Sequence, residues 1–373
     1  MRRTLDSLGD RLRRLGQPWE LALFGGLPAL TVGGLVISEL SRPNTLVDFA
    51  VFRTAAHAVI HGHSPYGASA LTANGHEGFV YPPFTGILFA SFALLPNPVA
   101  RALMLVVGFA AVLLALRLLR VADWRCYGLA LLFAPTVNAV ALGSITPLLL
   151  LGAAATWHYR DRPRVAGVVS ALTAVSKVFV WPLAVWLVVR SRLRAAAIFI
   201  VSAVVLVIGG WAVIAFAGFS SYPHLIQLLS KKEALRSYSP AALFGTTSVA
   251  LSVGLALLVV AAVVVASRGA DGDRRAFAVA IMGAIAATPV LWLHYLLLLL
   301  VPLALYRPRL SPLWFLPFVL WATPQTVPDG TLWKVALALG VAVALTVRVV
   351  VVPDPASMRR PRLTAPRRIP AKS

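Results

Sequence analysis

Residues able to do chemistry are few in this chain, and they concentrate between Leu46 and Pro96, above all at Asp48. The stretch reads VDFAVFRTAAHAVIHGHSPYG and, after a short polar connection, FVYPPFTGILFASFALLP. An acid stands at its front, Arg53 and a run of histidines follow, and a Tyr-Pro-Pro opens the next apolar segment. A carboxylate at a water–lipid boundary can accept a proton, and cations or imidazoles can stabilise a developing anion. Two further ionisable groups stand in very apolar settings, Lys177 in AVSKVFVWP and His294 in TPVLWLHYLLLLLVPL. Ionisable groups in such surroundings carry a desolvation penalty and are functional candidates by default.

Each also has a plainer reading. Asp48 suits the N-cap of a helix beginning at Phe49, since Asp is a preferred cap. That helix would bury Phe49, Phe52, Ala56 and Val59 and turn Arg53, His57 and His61 the other way. His57 and His61, four residues apart, share a helical face as zinc ligands do, with His63 and His76 close behind. No HExxH and no cysteine partner accompany them, and polar-face histidines at a membrane surface are commoner than ligands. No metal and no other cofactor is therefore expected. Lys177 could snorkel to the interface, and His294 could be a buried, satisfied histidine. Cys126 is the single cysteine, so no internal disulfide can form.

The elements that must position these groups are greasy. Of 373 residues, 59% are hydrophobic and 13% charged, whereas a soluble domain carries about 45–50% and about 25%. Both departures point to a multi-spanning membrane protein. The net charge of +21 sits in the two tails and in short connections. That placement follows the positive-inside rule rather than a nucleic-acid surface, and no nucleic-acid partner is expected. The first nineteen residues, with Leu5, Leu8, Leu12 and Leu15 at helical spacing among arginines, read as a basic amphipathic cytoplasmic tail that is not cleaved.

Apolar blocks fall at 21–37, 82–96, 98–119, 126–139, 145–158, 164–176, 178–190, 194–217, 243–267, 275–288, 290–306, 311–325 and 331–350. Several have about 13–15 residues, short of the ~20 that cross a bilayer core perpendicularly. Such short or broken spans are tolerated where they line a cavity. The arginines at 120, 125, 160–164, 190–194, 268–275 and 307–309, with the basic tail 353–373, should all be cytoplasmic. They agree from residue 120 onwards if 164–190 is a helical pair with Lys177 at its outer tip. Two full crossings within 82–119 would instead put Arg120 outside, so 82–96 is re-entrant or misassigned. The expected architecture is an all-α membrane bundle of about twelve spans. Both termini are cytoplasmic, and the loop 39–81 and the 218–242 loop lie outside.

The Asp48 window resembles the amino-terminal signature of glycosyltransferase family 87, polytopic enzymes of the GT-C superfamily. The pattern is carried by Asp48-Phe49, Gly62, Pro65-Tyr66, Tyr81-Pro82-Pro83 and Leu95-Pro96. Weaker matches follow in order at DRPRVAG, at SALTAVSKVFVWPL with Lys177, and at TPVLWLHYLLLLLVPL with His294. The chain departs from the family where a Gln-x-Asn often follows a glycine near residue 143; here the stretch is GSITP, with Ser144 and Thr146. It departs again where the second of two histidines is replaced by Tyr295.

The resemblance implies a single membrane glycosyltransferase domain over residues 1–373. It implies transfer of a mannosyl or related residue from a polyprenyl-phosphate sugar to a cell-envelope glycolipid or glycan, with inversion. Asp48 would be the general base. Arg53, Lys177 and His294 would hold the donor phosphate, and Tyr66, Tyr81, His57 and Tyr238 would contact substrate. The partners are then the lipid-linked donor, the acceptor and the bilayer. A transporter or flippase of lipid-linked sugar is the alternative, although such proteins often show inverted repeats and none is evident between the halves.

Overall fold

The structure, a computed structural model, describes residues 17–42, 45–66, 78–269, 271–323 and 331–348. Residues 1–16 of the basic tail, His76, Glu77, Asp329 and the tail 353–373 lie outside the described residues. Those described are helical, with no strand among them. The all-α expectation holds.

Prolines punctuate the helices. They sit in the first turn of helix after helix, where the missing N–H has no intrahelical partner to lose. Among the described residues four helices are long and apolar enough to cross a bilayer: α1 (Pro18–Ser41), Asn97–Leu118, Leu193–Val213 and Val249–Ala266. The expected outer loop folds into α2 (Val47–Ile60), which buries Phe49, Phe52, Ala55, Ala56 and Val59. Its apolar face is the one the spacing predicts.

The block 82–96 is not one span. It divides into α3 (Pro83–Leu88) and α4 (Ala90–Ala93), with Phe89 leaving helical geometry between them. At 1.5 Å per residue the pair extends roughly 16 Å, about half of a hydrocarbon core. Phe89 stacks on Phe52 at 4.6 Å, and Gly86 lets α3 close on Val59 of α2. The segment is therefore a short broken element packed under α2, and within 82–119 only α5 (Asn97–Leu118) is long and apolar enough to cross a bilayer, as the expectation for Arg120 requires.

Next come α6 (Trp124–Leu132) and α7 (Ala134–Ala141), interrupted where Pro135 cannot donate to the preceding turn. They are followed by α8 (Thr146–His158), α9 (Pro163–Ser176), α10 (Pro182–Val189) and α11 (Leu193–Val213). The starts of α9 and α11 meet, because Gly167 lies against Ala195 and Ile198; both helices leave the same basic end. Helix α9 stops at Lys177, whose extended backbone precedes a single 3₁₀ turn, Val178–Val180. Beyond α11 lie α12 (Tyr222–Glu233), α13 (Pro240–Phe244), α14 (Val249–Ala266), α15 (Gly272–Ala287), the 3₁₀ stretch Leu293–Leu299 running into α16 (Leu300–Tyr306), the 3₁₀ stretch Pro312–Ala322, and α17 (Leu332–Thr346).

The basic connections gather at one end. Arg192 bonds Asp273 at 2.8 Å and the Arg160 carbonyl at 3.1 Å, and Arg190 donates to the Ser267 carbonyl. Asp123 pairs with Arg125, which also reaches Glu20, while Leu310 donates to Asp123. Tyr306 donates to Asp271. Thus the loops near residues 120, 160, 190, 270 and 308 share one face, as the arginine pattern predicts. The opposite end holds Asp48, Tyr81 and Lys177.

Candidate active site at the polar end of the bundle

Asp48 is not the cap of its helix. Leu46, in the left-handed conformation at φ 57°, occupies the N-cap position, and no side chain caps it. The exposed donors at the helix start are met instead by a distant carbonyl: the N–H groups of Asp48 and Phe49 donate to Leu142 at 3.0 and 3.3 Å. This docks the Leu142–Ile145 turn onto α2. Gly143 makes the approach possible, at φ 63° and so close that a side chain would press within 2.5 Å of the Phe49 Cβ. The Ser144 hydroxyl, brought in by that turn, donates to the Asp48 carboxylate and lies 3.2 Å from the Thr146 hydroxyl.

Burial pushes the Asp48 carboxyl up to about 6, against the opposing pull of the Lys177 charge and the Ser144 hydrogen bond. Its side chain still keeps 25% of its surface open. A carboxylate held there is ionised at neutral pH and more basic than an ordinary aspartate, as general-base work requires.

Lys177 reaches the same place from the end of α9. Its ammonium donates to the Tyr81 hydroxyl at 3.0 Å and lies 3.8 Å from the centroid of the Tyr295 ring. The connection is braced by Thr85 of α3, which donates to the Ser176 carbonyl at 3.2 Å. His294, in the first 3₁₀ turn after Trp292, places Nε2 4.0 Å from the Asp48 carboxylate, beyond hydrogen-bond range. It is 3% exposed, and among the described residues neither ring nitrogen has a hydrogen-bond partner. No described protein group therefore supplies the hydrogen bond that the plainer reading of a buried, satisfied histidine expects. Buried polar groups are ordinarily paired, so this imidazole facing a carboxylate is a candidate for contact with a ligand.

The other sequence-predicted residues make different contacts. Arg53 spends its guanidinium on the carbonyls of Phe92 and Leu95, at 3.4 and 3.0 Å, bracing the end of α4. Tyr66 works through a neighbour: its hydroxyl donates to the Tyr81 carbonyl, and its ring stacks on Trp211. Burial raises the Tyr66 phenol, so it remains a donor. Tyr238 is buried, and its N–H donates to Leu291, three residues before His294. His57 is exposed, and its carbonyl accepts from the His61 ring. The two imidazoles sit 6.5 Å apart, centroid to centroid. Among the described residues no three His, Cys, Asp or Glu side chains form a group able to hold a metal.

The structure thus joins Asp48, Tyr81, Lys177 and His294 and adds two residues that sequence reasoning gave no role, Ser144 and Tyr295. Both stand where the chain departs from the pattern it resembles, and that departure was the available signal.

The sequence profile described as glycosyltransferase family 87 matches residues 79–293. The match takes in Tyr81, Ser144 and Lys177; Asp48 precedes it and His294 immediately follows it. No curated protein and no solved structure matches the chain. With more than half of its length under that profile, in an all-helical bundle with membrane-length apolar helices, the chain belongs to glycosyltransferase family 87.

Proposed function

We propose that the protein transfers a mannosyl residue from a polyprenyl-phosphate sugar to a cell-envelope glycolipid or glycan, with inversion at the anomeric carbon. The observation that carries this reading is the junction of one basic carboxylate, Asp48, with a cation, Lys177, and an unpaired imidazole, His294. Asp48 takes the proton of the acceptor hydroxyl as its oxygen bonds to the anomeric carbon. The bond from that carbon to the phosphate oxygen breaks on the opposite face, and its electron pair leaves with the polyprenyl phosphate. Lys177 balances the charge on that phosphate, and the His294 ring offers a hydrogen-bonding group to a substrate lying beside Asp48. Tyr81 sets the Lys177 ammonium in place. Arg53 serves as a brace for α4 rather than as a phosphate ligand.

The active end faces the cell exterior, multi-pass in the cell membrane, with the arginine-rich end in the cytoplasm, since Lys and Arg bias sets orientation. In a Cys126→Ser background, a cysteine at Ser64 should react with an impermeant reagent in intact cells and one near Ser373 should not; the reverse would invert the topology.

The decisive assay incubates membranes carrying the protein with labelled polyprenyl-phosphate mannose and membrane-lipid acceptors. A new labelled glycosidic product is expected. Label that crosses the bilayer with no new bond would make the protein a transporter of lipid-linked sugar. Product only from a polyprenyl-phosphate pentose would move the donor sugar while keeping the reaction.

A further inference from the structure

The geometry points to Tyr295 as a positioning residue that, with Tyr81, clamps the Lys177 ammonium between two aromatic rings and so sets the affinity for the phosphate of the lipid donor. The donor part of this inference rests on the reading above; the clamp itself does not.

A lysine at a helix end is a poor fixed charge, because its four-carbon stem is flexible and its head strongly hydrated. Here Nζ lies 3.8 Å from the Tyr295 ring centroid and 4.9 Å from that of Tyr81, both within the ~6 Å over which a ring face attracts a cation. The Tyr81 hydroxyl accepts from the same ammonium at 3.0 Å. The Tyr295 ring is itself closely packed. Phe179, two residues past Lys177, stacks on it at 5.0 Å with planes 7° apart. His294 meets its edge at 4.6 Å, and only 5% of Tyr295 is exposed.

The local backbone explains how neighbours in sequence serve two groups of one site. Leu293–Leu299 is a 3₁₀ stretch, with three residues per turn and about 120° between successive side chains. One turn therefore delivers His294 to Asp48 and Tyr295 to Lys177. A histidine at 295 would offer a smaller ring, and on protonation it would repel the ammonium. Tyrosine keeps its attraction across the acid range.

The test uses the full-length protein in lipid nanodiscs, with Tyr295→Phe and Tyr295→Leu made alone and in a Lys177→Met background. Tyr295→Phe should keep the donor KM within about twofold. Tyr295→Leu should raise it about tenfold, with kcat and the acceptor KM little changed, and should add nothing once Lys177 is gone. An unchanged donor KM, a fall in kcat alone, or an equal effect in the Lys177→Met background would overturn the inference. If the leucine variant does not fold, Tyr295→Met fills the space without a ring and carries the same expectations.

A second measurement needs no substrate. The chain has five lysines, and reductive ¹³C-methylation keeps their charge. The Lys177 resonance, identified by its loss in Lys177→Met, should lie upfield through ring currents and move toward the others in Tyr295→Leu but not in Tyr295→Phe. A Lys177 resonance among the exposed lysines would remove the clamp whatever the kinetics. A shifted resonance in a protein that does not use polyprenyl-phosphate sugars would leave the clamp standing and remove the donor assignment.

Discussion

At the basic end, Asp273 bonds Arg192 at 2.8 Å and has Arg160 and Arg190 within 3.5 Å. The Asp123 carboxyl there is lowered by its bonds to Arg125. At the polar end, Asp48 has His294 at 4.0 Å, out of bonding range, and its carboxyl is pushed up rather than down. Both ends place acids beside cations in a greasy protein, yet one saturates them and the other leaves them short. Saturated pairs hold loops together. An acid raised by burial, facing an imidazole with no hydrogen-bond partner among the described residues, is the arrangement on which the proposed site rests.

The comparison breaks first at Asp48. Asp48→Asn keeps the size and removes the base, so turnover should fall by ~10²–10⁴. The heat stability of the purified protein should not fall. A carboxyl raised by burial opposes folding while it is charged, and Leu46, not Asp48, occupies the cap position. Near-normal turnover would dismiss the base assignment. Lost stability together with lost turnover would make Asp48 structural, like the acids of the basic end.

The pH profile is the next test. With a carboxyl near 6, the base form predominates above that pH, and the rate at pH 5 should be about one tenth of that at pH 7. Removing the Ser144 hydroxyl with Ser144→Ala takes away a bond to the charged form, so the acid limb should move upward. A downward shift would mean that Ser144 does not bond the carboxylate.

Much of this contrast is legible in the sequence, and the misses share a cause. The buried face of α2 follows from the spacing of Phe49, Phe52, Ala56 and Val59, because helical period alone decides it. The gathering of the arginine loops follows from charge placement. Lys177 is recognisable as a helix tip because a basic loop and an apolar run bracket it. What sequence could not give was contact at a distance. Asp48 looks like a cap because the partner of its helix start, Leu142, is 94 residues away along the chain. The block 82–96 looks like a span because Phe89 and Gly86 reveal themselves only against α2. Arg53 looks free for phosphate until the end of α4 folds back onto it.

At the basic end, Asp273→Asn sharpens the contrast from the other side. It removes the anion shared by three arginines, including charge-assisted bonds worth about 1.5–3 kcal/mol. The protein should lose a few kcal/mol of stability, read as an earlier melting transition, while turnover per folded molecule stays within about twofold. A large loss of turnover at unchanged stability would show that this end also takes part in the chemistry.

The smallest effect is expected at Arg53, on the same helix as Asp48 but turned to a different task. Its Nη2 donates to Leu95 at 3.0 Å and its Nε to Phe92 at 3.4 Å, carbonyls at and just past the end of α4, where the Phe92 carbonyl also accepts from the Leu95 N–H. Lysine can reach one of them but lacks the planar fork that meets both. Arg53→Lys should therefore lower stability by about 1 kcal/mol and leave the donor KM within about twofold. Lys177→Met should raise that same KM strongly. If instead Arg53→Lys weakens donor binding as much as Lys177→Met does, the guanidinium belongs with the phosphate, and α2 contributes a cation as well as a base to the site.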